Sequence, residues 1–149
     1  MNNSEKMTNK LNELLTKNYD AEAGYKKAAE TVSNPELTQF FKNQAERRYD
    51  FGHELKDEIR NTGGTPDKGT SIKGDMHRTW MDIKSTFTSE DEEAILNEVI
   101  RGEESAVEEY QEVMKDTTLA PTTQQVLSKQ VSNIQDTLQN VRRFETVAS

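Results

Sequence analysis

Residues 63–88 read GGTPDKGTSIKGDMHRTWMDIKSTFT, and the interpretation of this stretch decides how the rest of the chain assembles. It opens on a glycine pair that stops a helix, and it is too long for a tight turn between two helices. It also holds an apolar set of its own: Ile72, Met76, Trp80, Ile83 and Phe87. A short helix inside a crossover down the side of a helical bundle accounts for both features. Upstream lie two long segments with helical periodicity. The first carries Leu11, Leu14, Leu15, Tyr25, Ala28, Ala29 and Val32. It ends at Ser33-Asn34-Pro35-Glu36, where Ser33 or Asn34 can cap the next helix, Pro35 suits the first turn and Glu36 favours the dipole. The second carries Leu37, Phe40, Phe41, Phe51, Leu55 and Ile59 and stops at Gly63-Gly64. Downstream, a third is expected from Ser89, with Glu92 completing a capping box. It runs through Ile95, Leu96, Val99, Ile100, Val107, Tyr110, Val113 and Met114. Pro121 opens a fourth, with Val126, Leu127, Val131, Ile134, Leu138, Val141 and Phe144 on its apolar stripe.

Helices one and two, and helices three and four, are joined by short turns, so each pair should form an antiparallel hairpin. Two hairpins joined by one long crossover make an all-α, ferritin-like four-helix bundle. We therefore expect a single domain over 1–149, with its core over about 8–145 and the crossover over about 63–88. A weak internal repeat supports this. An offset of 85 residues pairs Tyr25 with Tyr110, Leu11 with Leu96, Leu14 with Val99 and Leu15 with Ile100. An offset of 86 pairs Pro35 with Pro121, Phe40 with Val126, Phe41 with Leu127 and Gln44 with Gln130. Two related hairpins imply a pseudo-twofold bundle.

Hydrophobic residues (32%) and charged residues (31%) are nearly balanced, which suits long helices with wide solvated faces better than a thick globule. The net charge is −8, with no concentration of Lys and Arg on one face, so neither nucleic acid nor an anionic membrane is an expected partner. The absence of Cys excludes disulfides, thiolate metal sites and thiol catalysis. No apolar run approaches a membrane span, and the polar start MNNSEKMTNK has no secretory character. A cytoplasmic protein is expected.

Within the third segment, RGEESAVEEY (101–110) places Glu103 on the apolar side, in line with Leu96, Val99, Tyr110 and Val113. Each of the other stripes also carries one polar residue at matching depth: Asn18, Gln44 and Gln130. In carboxylate-bridged di-iron bundles two helices each give a Glu, and the other two each give Glu-x-x-His, all pointing inward. Two cations need several anionic oxygens, and an i, i+3 pair sets a carboxylate and an imidazole on one face. Here that frame carries other residues. Glu103 stands seven before Tyr110, a spacing seen in rubrerythrin-like sequences, but the position seven before Tyr25 is Asn18. The Glu-x-x-His positions read Gln44 with Arg47 and Gln130 with Asn133. An offset of two residues gives Glu46 with Tyr49, and Ser132 with Gln135, which still supplies no imidazole. Amides are neutral, and a guanidinium repels a cation. Arg48, four residues after Gln44, is the expected partner of Glu103, with Arg47 as the other candidate. Asn18, Gln44 and Gln130 are expected to add hydrogen bonds to the same carboxylate. A lone charge at that depth would cost several kcal/mol, so a partner is required.

The chain resembles the bacterial ferritin-like four-helix-bundle proteins catalogued as a domain of unknown function. The resemblance covers roughly residues 8–145 and is carried by NYDAEAGYKKAAE, PELTQFFKNQAERRYDFGHEL, MHRTWMDIK and EEAILNEVIRGEESAVEEY, with HRTW the most specific part. It implies a ferritin-like bundle and no established activity. The departures at Asn18, Arg47, Gln130 and Asn133 separate this chain from the metal-binding branch of the wider superfamily.

Other constellations have plainer readings. His53, with Asp50 and Glu54, lies off the main stripe and reads as a boundary histidine; His77 near Trp80 reads as a packed one. Tyr19, Tyr25, Tyr49 and Tyr110 read as core aromatics with tethered hydroxyls. SEDEEA (89–94) is a helix start that favours negative charge, without the ligand pattern of a calcium loop. TGGTPDKG follows a helix and lacks a phosphate-loop Lys-Ser/Thr. The sequence thus supports a non-catalytic bundle, without a nucleophile–base pair, that acts through its surface as a homo-oligomer, such as a dimer, in a structural or stress-associated role. No cofactor is expected. The alternative is a divergent oxidase or metal-storage protein that holds di-iron or manganese with Glu22, Glu46, Glu103 and His53. A third reading is a small-molecule pocket near Trp80.

Overall fold

The computed structural model describes residues 2–67 and 91–148. Four helices make up nearly all of this: α1 (Asn3–Thr31), α2 (Pro35–Asn61), α3 (Glu92–Met114) and α4 (Pro121–Ala148). Each boundary has a local cause. Asn2 caps α1 by accepting from the Glu5 amide at 2.8 Å. Of the two candidates at the next turn, Asn34 is the cap: its side chain accepts from the Glu36 and Leu37 amides, with Pro35 in the first turn. Helix α3 starts at Glu92, later than the expected Ser89, and its N-cap Asp91 makes no side-chain capping bond. Ser89, the crossover's short helix, His77 and Trp80 lie outside the described residues.

Helix α2 ends where Gly63 takes φ +83°, a left-handed conformation that allows the Gly63 and Gly64 amides to return to the Arg60 and Ile59 carbonyls. Gly63→Ala should therefore lower stability by about 1 kcal/mol, read as a lower urea midpoint at unchanged slope. Gly64 is constrained differently, since a Cβ there would overlap the Thr8 side chain, which is itself bonded to Thr62.

Interhelix bonds give the topology. Thr8 meets Thr62, so α1 and α2 are antiparallel. Tyr25 meets Glu103 and Asn18 meets Tyr110, so α1 and α3 are antiparallel. Gln44 meets Thr137 while Thr123 meets Glu58, which makes α2 and α4 antiparallel too. With α2 and α3 consequently parallel, their connection joins opposite ends of the bundle. This is the ferritin-like arrangement. Its first described residues are held by α1: Asn12 donates to the Thr65 carbonyl and accepts from the Asp67 amide.

The core is divided in two. One apolar cluster gathers Leu11, Leu14, Leu15, Leu55, Tyr110, Leu127 and Ile134; the other gathers Tyr25, Ala28, Phe41, Ile95, Leu96, Val99 and Val141. The repeat relates them, since Leu11, Leu14 and Tyr110 in the first cluster correspond to Leu96, Val99 and Tyr25 in the second. A pseudo-twofold axis exchanges the two halves of the core.

At the end of the bundle where α3 turns into α4, Lys10 donates to Asp116 at 2.8 Å, and Asp116 also accepts from the Thr118 amide and hydroxyl. Lys10, then Thr118, hold the Asp116 carboxyl well below the usual carboxylate range. The sign follows from that depression. The unfolded chain takes up the proton first, so this contribution is complete above about pH 5 and fades as the pH falls through and below about 4. Urea melts of Asp116→Asn should thus sit below wild type at pH 7, and the gap should start to narrow only as the pH falls below about 4.

Candidate functional site: a buried polar layer

The layer between the two apolar clusters is built from all four helices. Glu103 on α3 is 1% exposed, and Arg48 on α2 is 3% exposed. One Glu103 oxygen accepts from Arg48 Nη2 at 2.5 Å, and the other accepts from the Tyr25 hydroxyl of α1 at 2.6 Å. Arg47, the other candidate, is exposed. Both carboxylate oxygens thus have a donor, and a buried charge that would otherwise be expensive is neutralised by its neighbour. Burial and then the Glu103 charge raise the Tyr25 hydroxyl well above its ordinary pKa, so it stays a donor.

Asn18, Gln44 and Gln130 share the layer but do not touch Glu103 in the way the sequence suggested. Asn18 Nδ2 donates to the Leu14 carbonyl and to the Tyr110 hydroxyl, both at 2.8 Å. Tyr110 in turn donates to Gln130 Oε1 at 2.6 Å, and Gln130 Nε2 donates to the Phe51 carbonyl and to Glu54. Gln44 accepts from Thr137 at 3.1 Å. The correction has a geometric reason. Glu103 reaches diagonally to α2, whereas the amides each bond to an adjacent helix.

These bonds follow the repeat. Tyr25 with Glu103 maps onto Tyr110 with Asn18, and Gln44 facing Thr137 maps onto Gln130 facing Phe51. Burial, the largest influence, pushes the Tyr110 hydroxyl up to about 12. Both buried tyrosines should ionise only as the chain unfolds. Stability should then fall as pH rises past about 10, where the unfolded chain releases its tyrosine protons. A spectrophotometric titration should show their tyrosinate absorbance rising together with loss of helix signal.

The seam between α2 and α4 is more polar than the sequence indicated. Gln44, Phe51 and Glu58, at seven-residue intervals, face Thr137, Gln130 and Thr123 at the same interval. Glu58 and Thr123 are joined at 2.7 Å and both are buried. Glu58, Thr123 and Thr137 were not among the candidates. Their heptad spacing is the one sequence signal that could have found them.

The alternative metal ligands do not gather around Glu103. Glu22 pairs with Lys26 at 2.9 Å and, with Glu46 and Tyr49, lines a groove on the outer face of α1 and α2. His53 is exposed and packs edge-on against Tyr49. Tyr49 is itself 54% exposed, not a core aromatic, because it lies off the stripe of Phe41, Arg48 and Leu55. Tyr19 is half-buried, with its hydroxyl directed at the Asp67 carbonyl. Among the described residues no group of three or more His, Asp or Glu side chains converges on one point. The donors of the layer itself do not suit a two-cation cluster, because the one inward carboxylate is bonded on both oxygens and its closest partner is a guanidinium.

Comparison with known proteins agrees with the fold. The chain is similar to a dodecameric thioferritin, the bacterioferritin-related protein of Bacteroides fragilis, with 19% identity and a TM-score of 0.79 over 97% of this chain and 86% of that one. It is similar to ferritin-like, diiron-carboxylate proteins from Bacillus anthracis (18% identity, TM-score 0.76, 97% and 99% of the two chains). It is also similar to Dps from Mycobacterium smegmatis (20% identity, TM-score 0.80, 95% and 87%). These likenesses establish a ferritin-like four-helix bundle. More specifically, residues 6–116 match the family described as Domain of unknown function (DUF2383), and the chain belongs to that family. No curated protein sequence matches it. No helix among the described residues is long and apolar enough to cross a membrane.

Proposed function

We propose that this protein is a ferritin-like bundle in which a hydrogen-bonded layer stands in place of a di-iron centre, and that it acts as a non-catalytic structural or interaction protein. The observation that carries the proposal is the state of Glu103. This is the one carboxylate of the layer aligned with the inward stripe, and Arg48 and Tyr25 occupy both of its oxygens. Binding a cation there would require breaking a buried ion pair and leaving a guanidinium beside the metal. A homo-oligomeric, cytoplasmic protein is part of the same reading. One of its structural neighbours is described as dodecameric, and the exposed Tyr49 and Val147 leave apolar surface on the single chain. A stress-associated role belongs to this reading as well.

The test is direct. The protein is expressed with added iron or manganese, desalted, and assayed for metal per chain. Trace substoichiometric metal is expected. About two metals per chain, the complement of a dinuclear carboxylate site, lost on Glu103→Ala, would instead support the divergent oxidase or storage protein using Glu22, Glu46 and Glu103. Light scattering on the same sample reads the assembly, and a monomer at all concentrations would contradict the oligomeric part.

A further inference from the structure

Among the described residues, Asn18 Oδ1 is a buried acceptor without a donor. Asn18 is 1% exposed, and Oδ1 has no hydrogen-bond partner. Its orientation is fixed by the other end of the amide, whose two N–H groups are directed at the Leu14 carbonyl and the Tyr110 hydroxyl. Turning the amide over would set two carbonyl oxygens against each other. A buried carbonyl left without a donor is unfavourable, so a donor from outside the chain is favoured there.

The pseudo-twofold relation shows why the four described helices supply none. Asn18 corresponds to Glu103 at the 85-residue offset, and the charged donor to Glu103 is Arg48. At the 86-residue offset, the counterpart of Arg48 is Ile134, which is 1% exposed and has no polar side-chain atom. One half of the bundle therefore carries a charged donor and acceptor, and the other half an acceptor opposite a hydrocarbon.

The surroundings define the chemistry of the missing donor. The Arg48 charge acts on Tyr110, whose hydroxyl lies 2.8 Å from the Asn18 amide, so a cation at this depth would meet repulsion. The Glu103 carboxylate that would offset it is already paired. A neutral donor fits. The site is also linked to solvent by polar groups, from Asn18 through Tyr110 and Gln130 to the exposed Glu54.

We propose that the bundle interior binds a single water molecule that donates to Asn18 Oδ1 at the level of Ile134. The experiment uses the full chain labelled with 15N and measures water cross-relaxation to the Asn18 side-chain amide protons, beside a high-resolution crystal structure. The expected result is a cross-peak of the sign given by a water tumbling with the protein, and a density peak at hydrogen-bond distance from Oδ1. Tyr110→Phe removes the neighbouring exchangeable hydroxyl and should keep the cross-peak; its loss there would assign the signal to the hydroxyl and overturn the proposal. Ile134→Gln brings a carboxamide donor to the twin position and should abolish the cross-peak while the chain stays folded. Absence of both cross-peak and density in the wild type, or density with the short contacts of a metal cation, would also overturn it.

Discussion

Arg48→Met should lower the stability of the chain by about 3–5 kcal/mol, the range expected when one partner of a buried ion pair is removed. Arg48 and Glu103 are each at most 3% exposed, so neither charge is screened by solvent. Without Arg48, the Glu103 carboxylate keeps the Tyr25 donor and loses its guanidinium partner, at the boundary of two apolar clusters. The loss should appear as a lower denaturant midpoint at neutral pH. Arg48→Met combined with Glu103→Leu should recover most of it, since apolar residues of similar volume often replace a buried pair at little net cost. A change below about 1 kcal/mol for the single variant would show that the pair does not hold the layer together.

The second large effect separates the two tyrosines that the repeat relates. Tyr25→Phe removes a hydrogen bond to a charged acceptor; Tyr110→Phe removes bonds to the neutral Asn18 and Gln130. Hydrogen bonds to charged groups contribute about 1.5–3 kcal/mol against about 1 for neutral ones, so Tyr25→Phe should be the more damaging of the pair. Both substitutions preserve the ring, so cavity formation does not confound the comparison. Parallel urea melts of the two variants check the order, and equal losses would mean that the asymmetry of the layer is without energetic consequence.

The membership of this layer was legible in the sequence. Asn18, Gln44, Glu103 and Gln130 interrupt four apolar stripes at one depth, and Arg48 follows Gln44 by a turn, so periodicity alone brings them together. Their partners were not legible. Whether Gln44 bonds Glu103 or Thr137 depends on the rotation and axial offset of α2 against α4, and a stripe 100° wide leaves both open. The same freedom hid the Glu58–Thr123 bond. Aromatic character favours a core place for Tyr49, but its angle on the helix turns it outward beside His53. The bundle itself was readable from the short turns at Pro35 and Pro121 and the long separation between Gly64 and Glu92.

The most direct test of the central claim, that Arg48 and Tyr25 have taken both oxygens of Glu103, is an anomalous-difference map. Crystals grown with iron are measured on either side of its absorption edge. The claim predicts no peak within coordination distance of residue 103 and a guanidinium in contact with its carboxylate. A pair of anomalous peaks between the four helices, with Glu103 turned away from Arg48 to ligate them, would contradict it.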